Sequence, residues 1–166
     1  MTAHLPQQIR ELLAQAGIVF KEIHHEPTQT SADSARVRGE SLAVGAKALL
    51  LKTDDEFQLF VLPADLQLDA KKVKQQLKVR SIRFATKEEL FELTGLVPGA
   101  VPPFGAPVLP FKLYADTAIG STEDKVAFNA GSLTFSIVMK ASDWRAVANP
   151  TQFSFAKEPT ANDGNS

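Results

Sequence analysis

The sequence predicts an α/β or α+β domain built on a mixed, largely antiparallel sheet. Short capped helical segments alternate with apolar runs of strand length. The runs Ala46 to Thr53 and Phe57 to Leu62 are separated by Asp54-Asp55-Glu56, a polar turn between two strands. Two later runs, Lys125 to Asn129 and Leu133 to Val138, meet at Asn129-Ala130-Gly131-Ser132. Hairpins thus dominate the middle and the end of the chain, which favours antiparallel pairing.

Each element has a local reason. Pro6 to Ala16 reads as an amphipathic helix, with Ile9, Leu12 and Leu13 on one face and Gly17 as its stop. Ile18 to Ile23 is rich in β-formers and reads as a strand, followed by a loop from His24 to Thr30. Ser31 is read as the N-cap of a short helix through Ala35 and Val37 that Gly39 ends, with Asp33 complementing the helix dipole. After the central hairpin, Asp69 opens a basic helix through Gln76, and Ser81 to Phe84 reads as a strand. Thr86 with Glu89 three residues later makes a capping box for a helix to Leu93. Val108 to Leu113 is expected to be a strand, and Ser142 to begin a last helix through Val147. The tail 157–166 is small, polar and without periodicity, and is expected to be disordered beside a single domain over residues 1–156.

Composition narrows the function. With 166 residues, 44% hydrophobic and 22% charged, the chain suits one ordinary globular core that buries about two thirds of its unfolded surface. It has no cysteine, which excludes disulfides, thiolate metal sites and cysteine nucleophiles. No secretory signal or membrane span is expected, and a cytoplasmic location is the default. A net charge of −1 argues against a broad nucleic-acid-coating surface but leaves room for a local footprint. Lys71, Lys72, Lys74, Lys78, Arg80 and Arg83 form such a cluster, readable as a solvated helix face or as phosphate contacts.

The segment Gly95 to Gly105 holds three glycines and three prolines in eleven residues, so it can be neither helix interior nor central strand. It is either a structural turn or a rigid cradle whose backbone N–H groups hold a carbonyl, a phosphate or a developing oxyanion. The familiar catalytic signatures are missing: there is no GxSxG elbow, P-loop or GxGxxG. His4 sits at the fraying start. His24 and His25, adjacent on an extended segment, would face opposite ways and read as a surface pair rather than metal ligands. Lys47 remains, near the start of an apolar strand and on the same side as Leu49 and Leu51. It either reaches out to water or sits at the rim of something concave, because an unpaired buried ammonium is costly.

The lysine-bearing strand, the loop ending Val101-Pro102-Pro103-Phe104-Gly105 and the later Phe128-Asn129-Ala130-Gly131-Ser132 together resemble the YbaK/prolyl-tRNA synthetase-associated editing domain family. The resemblance runs from about Ile18 to Val147. It implies a barrel-like sheet flanked by helices and hydrolysis of mischarged aminoacyl-tRNA in trans, with tRNA-Pro carrying a small wrong amino acid as the expected substrate. It implies that Lys47 is the functional lysine. Gly95, Pro98, Gly99, Val101, Pro103, Phe104 and Gly105 would form the substrate loop, and Asn129, Gly131 and Ser132 would close the pocket. Thr30 and Ser31, with Thr28, could add hydroxyls, although turn and cap duties explain them equally well. Many relatives have a histidine after the Gly-Ser pair where this chain has Leu133, which leaves the recognised amino acid open.

The implied chemistry uses a hydroxyl of the terminal ribose to assist an attacking water, with the protein supplying positioning and electrostatics. No cofactor or metal is expected. The partners implied are the acceptor end of aminoacyl-tRNA, contacted by Lys71, Lys72, Lys74 and Lys78, and prolyl-tRNA synthetase. The oligomeric state is left open, with a monomer favoured. A non-catalytic module that holds tRNA ends or a synthetase is the alternative, and a small-molecule ester or amide hydrolase is weaker because no protein nucleophile is evident.

Overall fold

The computed structural model describes residues 4–157. The expectation for the tail lies, beyond Lys157, outside the described residues. Five helices and eight strands follow one another: α1 (Leu5–Gln15), β1 (Phe20–His24), α2 (Ser31–Arg38), β2 (Ala46–Thr53), β3 (Glu56–Pro63), α3 (Ala70–Leu77), β4 (Ile82–Phe84), α4 (Lys87–Thr94), β5 (Leu113–Ala115), β6 (Val126–Asn129), β7 (Phe135–Met139), α5 (Ala141–Ala148) and β8 (Thr151–Gln152).

The strands form a three-stranded sheet, β1-β7-β6, and a five-stranded sheet, β4-β2-β3-β5-β8. All pairs are antiparallel except β3 with β5 and β5 with β8. The expected α+β class with a mixed, largely antiparallel sheet is therefore what the chain adopts. A single parallel bridge, Gly45 to Ala127, joins the two sheets where β2 begins beside β6.

Strand alternation in the five-stranded sheet gives it a buried cluster on each face. Leu50, Leu59, Val61, Leu113 and Ala115 face the larger cluster, which includes Ile9 and Leu13 of α1, Phe128, Ile137 and Trp144. Leu51, Phe60, Leu62 and Tyr114 face the other side, where Val73 of α3 and Phe155 cover them. Because both faces of the five-stranded sheet are buried, its strands read as continuous apolar runs rather than as alternating ones.

Three expectations need correction. The cap of α2 is Thr30, not Ser31: its side chain accepts from the Asp33 N–H at 3.0 Å, and Ser31 is the first helical residue. Val108 to Leu113 is not a strand. Pro107 and Pro110 lack N–H donors, the N–H groups of Val108 and Leu109 fold back onto the Gly105 carbonyl at 2.9 and 3.0 Å, and β5 starts only at Leu113. His24 is exposed and stacks on Phe135 at 4.9 Å, whereas His25 is only partly at the surface: it is half-buried, with its Nε2 turned inward to Ser136. The two-residue β8 has no sequence signal of its own.

Candidate active site

A cleft of about 490 Å³ opens at the seam between the two sheets, within the size range of ligand pockets. Its walls come from the β1–α2 loop and α2 (Thr28, Thr30, Ser31, Ser34, Arg38), the start of β2 (Gly45 to Leu49), Pro98, Gly99 and Val101 of the glycine–proline loop, and Asn129 with Leu133. Of the residues singled out in the sequence, Lys47, Pro98, Gly99, Val101, Asn129, Thr30 and Ser31 thus meet here. Gly95, Gly131 and Ser132 line an adjoining hollow of about 270 Å³ that shares Leu133 with the cleft. Pro103, Phe104 and Gly105 lie away from it in the core. The Pro103 carbonyl accepts from Trp144 Nε1 at 2.9 Å, Phe104 packs edge-on against Phe128, and a Cβ on Gly105 would meet the Phe111 carbonyl at 2.6 Å. Lys71, Lys72, Lys74 and Lys78 sit on or just after α3 and do not line the cleft.

The loop is held by its own backbone and by Asn129. Gly99 has φ of +90°, a conformation open to glycine, and Leu133 lies 3.3 Å from where its Cβ would be. The Gly99 carbonyl accepts from Asn129 Nδ2 at 2.8 Å, and the Ala100 carbonyl accepts from the Gly131 N–H at 3.0 Å. Among the described residues, the N–H groups of Gly99 and Val101 have no acceptor. Two such donors on a fixed loop suit a carbonyl oxygen or the oxyanion that forms from it.

Beneath the loop lies a polar network whose origin is register. Asn129 of β6 and Ser136 of β7 are cross-strand partners, on the side opposite the inward-facing Phe128 and Ile137. Arg38 of α2 reaches both, donating from Nε to Ser136 Oγ at 2.9 Å and from Nη2 to Asn129 Oδ1 at 3.1 Å. His25 Nδ1 lies 2.8 Å from the Glu26 carbonyl, which can only accept, so Nδ1 carries a proton. His25 Nε2 lies 2.7 Å from Ser136 Oγ. Ser136 beside a histidine is no nucleophile here, because Ser136 is 0% exposed.

Both cations of the cleft are set by burial. Lys47 is half-buried, and desolvation lowers its pKa against the opposing effect of Asp65. Arg38 is 9% exposed, and burial lowers its pKa to about 10, so it stays charged at neutral pH. Arg38, Ser34, His25 and Ser136 were not singled out as site residues in the sequence. The available signal was the spacing Ser31, Ser34, Arg38, which puts all three on one side of a helix. Among the described residues no group of three or more histidine, aspartate or glutamate side chains is arranged to hold a metal, and no helix is long and apolar enough to cross a membrane.

Backbone donors and two cations around one cleft suit an anionic, carbonyl-bearing ligand that is held in position. Residues 25–147 match the aminoacyl-tRNA editing domain family, and the chain belongs to that family. The multifunctional Ser/Thr-tRNA deacylase ProXp-y of Escherichia coli (strain K12) is 35% identical over 156 residues, covering 91% of this chain and 92% of the relative. The proline–tRNA ligase of Bacillus licheniformis is 32% identical over 108 residues, covering 65% of this chain but 19% of the ligase. The solved structure of a proposed trans-editing enzyme for prolyl-tRNA synthetase superposes with a TM-score of 0.79 at 22% identity, covering 92% of this chain and 97% of that one, and shares its fold.

Proposed function

We propose that this chain, an aminoacyl-tRNA deacylase, hydrolyses in trans the ester of mischarged tRNA, with tRNA-Pro carrying a small amino acid as substrate. The observation that carries this reading is the convergence on one cleft of Lys47, Asn129 and the glycine–proline loop, in which the N–H groups of Gly99 and Val101 have no acceptor among the described residues. Water attacks the ester carbonyl carbon, and the neighbouring ribose hydroxyl assists in moving its proton. The carbon–oxygen bond to the ribose breaks, the leaving oxygen is protonated, and free amino acid and tRNA are released. The loop N–H groups hold the carbonyl oxygen as it gains charge, and Lys47 supplies electrostatic positioning.

The size of the amino acid is read by Pro98, Val101 and Leu133, which give the cleft its apolar wall. Such a wall separates side chains differing by one methylene by only about 1–3 kcal/mol, so several small amino acids are substrates. Thr28 Oγ1 and Ser34 Oγ pair at 2.7 Å on the opposite wall and favour a hydroxylated side chain, serine or threonine. The acceptor stem runs over Lys71, Lys74 and Lys78, which are exposed; Lys72 donates to the Ala156 carbonyl at 2.9 Å. This work belongs in the cytoplasm, where tRNA is charged.

The test is deacylation of tRNA charged with serine, threonine, alanine, cysteine and proline. Release of the small amino acids with prolyl-tRNA spared is expected. Binding of every tRNA without hydrolysis of any would replace the enzyme with a non-catalytic tRNA-end module.

A further inference from the structure

Arg38 holds a charge at the cleft that no carboxylate offsets. It makes no ion pair with the described residues, and its hydrogen bonds go to two neutral acceptors, Ser136 Oγ and Asn129 Oδ1. Such a cation is expensive to bury alone. Nε and Nη2 are committed to those acceptors, whereas Nη1 has none. It lies against Gly45, 3.6 Å from where a Cβ would stand, and Gly45 lines the same cleft. No fully buried side-chain nitrogen or oxygen among the described residues lacks a partner, so Nη1 keeps access to open space. The space that Arg38 lines is the cleft.

We propose that the free Nη1 edge of Arg38 is an anion subsite, taking a negatively charged oxygen of the substrate's ester–nucleotide end. Ser136 and Asn129 clamp the guanidinium by its other edge, so it is oriented before substrate arrives and little order is lost on binding. Two sources carry such an oxygen: the phosphodiester of the terminal nucleotide, and the ester carbonyl as it becomes an oxyanion. Either way Arg38 acts with Lys47, which stands two residues beyond Gly45. Asn129 also joins Arg38 to the loop, since its Oδ1 accepts from Nη2 while its Nδ2 donates to the Gly99 carbonyl. The subsite rests on the deacylase reading in its oxyanion form but not in its phosphate form.

The experiment compares wild type with Arg38→Gln, shown folded by its thermal transition, on seryl-tRNA and on phosphate-free seryl-adenosine. It also measures binding of a CCA trinucleotide. For seryl-tRNA we expect kcat/KM to fall about tenfold or more. If the loss persists on seryl-adenosine, the oxygen is the oxyanion. If it disappears there and CCA binding weakens with a shallower salt dependence, the oxygen is a phosphate. A folded Arg38→Gln with unchanged kcat/KM and unchanged CCA binding overturns the proposal. Should wild type hydrolyse nothing, the deacylase reading fails, and CCA binding alone decides: dependence on Arg38 sustains the subsite, independence removes it. If Arg38→Gln does not fold, Arg38→Lys carries the same arms, because it keeps the charge but cannot hold Ser136, Asn129 and a substrate oxygen together. Wild-type values for Arg38→Lys in every arm would overturn the proposal.

Discussion

Lys47 keeps its ammonium half out of water, and the consequence can be measured on that one residue. Desolvation lowers its pKa, while Asp65 pulls the other way. The folded state therefore binds fewer protons than the unfolded chain just below the ordinary lysine value, and this group's contribution to stability rises with pH across that window. In a pH titration of carbon-13-methylated lysines, the Lys47 signal, assigned by its loss in Lys47→Arg, is expected to titrate below the exposed lysines. Titration together with them would contradict a desolvated site. The strand carrying Lys47 was legible because a lone cation in Ala46-Lys47-Ala48-Leu49-Leu50-Leu51 stands out from its neighbours. Arg38 was not. At the end of a short polar helix a cation reads as a dipole-complementing surface group, and its partner Ser136 lies 98 residues away.

Elements whose signals are local were the most legible. The capping box of α4 is a sequence pattern and a physical object: Thr86 Oγ1 accepts from the Glu89 N–H at 3.0 Å, and Glu89 Oε1 accepts from the Thr86 N–H at 2.9 Å. Arg83 adds two bonds to the same carboxylate at 2.8 and 2.9 Å. These hydrogen bonds, Arg83's first, hold Glu89 down to about 2. Because α4 feeds directly into the glycine–proline loop, its cap helps to set where the loop begins. Thr86→Ala is expected to cost about 0.5–2 kcal/mol in urea unfolding at neutral pH. The folded pKa of Glu89 is depressed, so its contribution is present above the ordinary glutamate range and is lost as pH falls toward about 2. The deficit of Glu89→Gln should narrow accordingly on acidification; a deficit independent of pH would mean that the carboxylate charge has no part in it. Where local rules failed, a long-range partner was responsible. Lys112 and Leu113 join the sheet only because β3 lies alongside, with the Leu59 N–H donating to the Lys112 carbonyl at 3.0 Å.

At the scale of the whole molecule, the cleft exists because two sheets meet at the Gly45 to Ala127 bridge and a loop crosses their junction. Three of the walls, the start of β2, the glycine–proline loop and Asn129, were readable as motifs. On the fourth, α2, Thr30 and Ser31 were named but Arg38 was not, because its role comes from the register that pairs Asn129 with Ser136 beneath it. Family resemblance supplied what spacing could not, namely that the separate motifs face one another. The basic face of α3 lies outside the cleft, so its part in the account is electrostatic. The triple change of Lys71, Lys74 and Lys78 to glutamine is expected to weaken tRNA binding and to reduce the slope of log K against log salt by about 2–3, measured by titration at several salt concentrations. An unchanged slope would leave these lysines as a solvated surface. The central claim concerns the cleft itself, and single-turnover deacylation of seryl-tRNA-Pro by saturating enzyme tests it most directly, because binding no longer limits the rate. Lys47→Ala, folded as wild type, is expected to cut the rate about tenfold or more, roughly 1.4 kcal/mol of transition-state stabilisation. A rate equal to that of wild type would show that ester hydrolysis happens elsewhere.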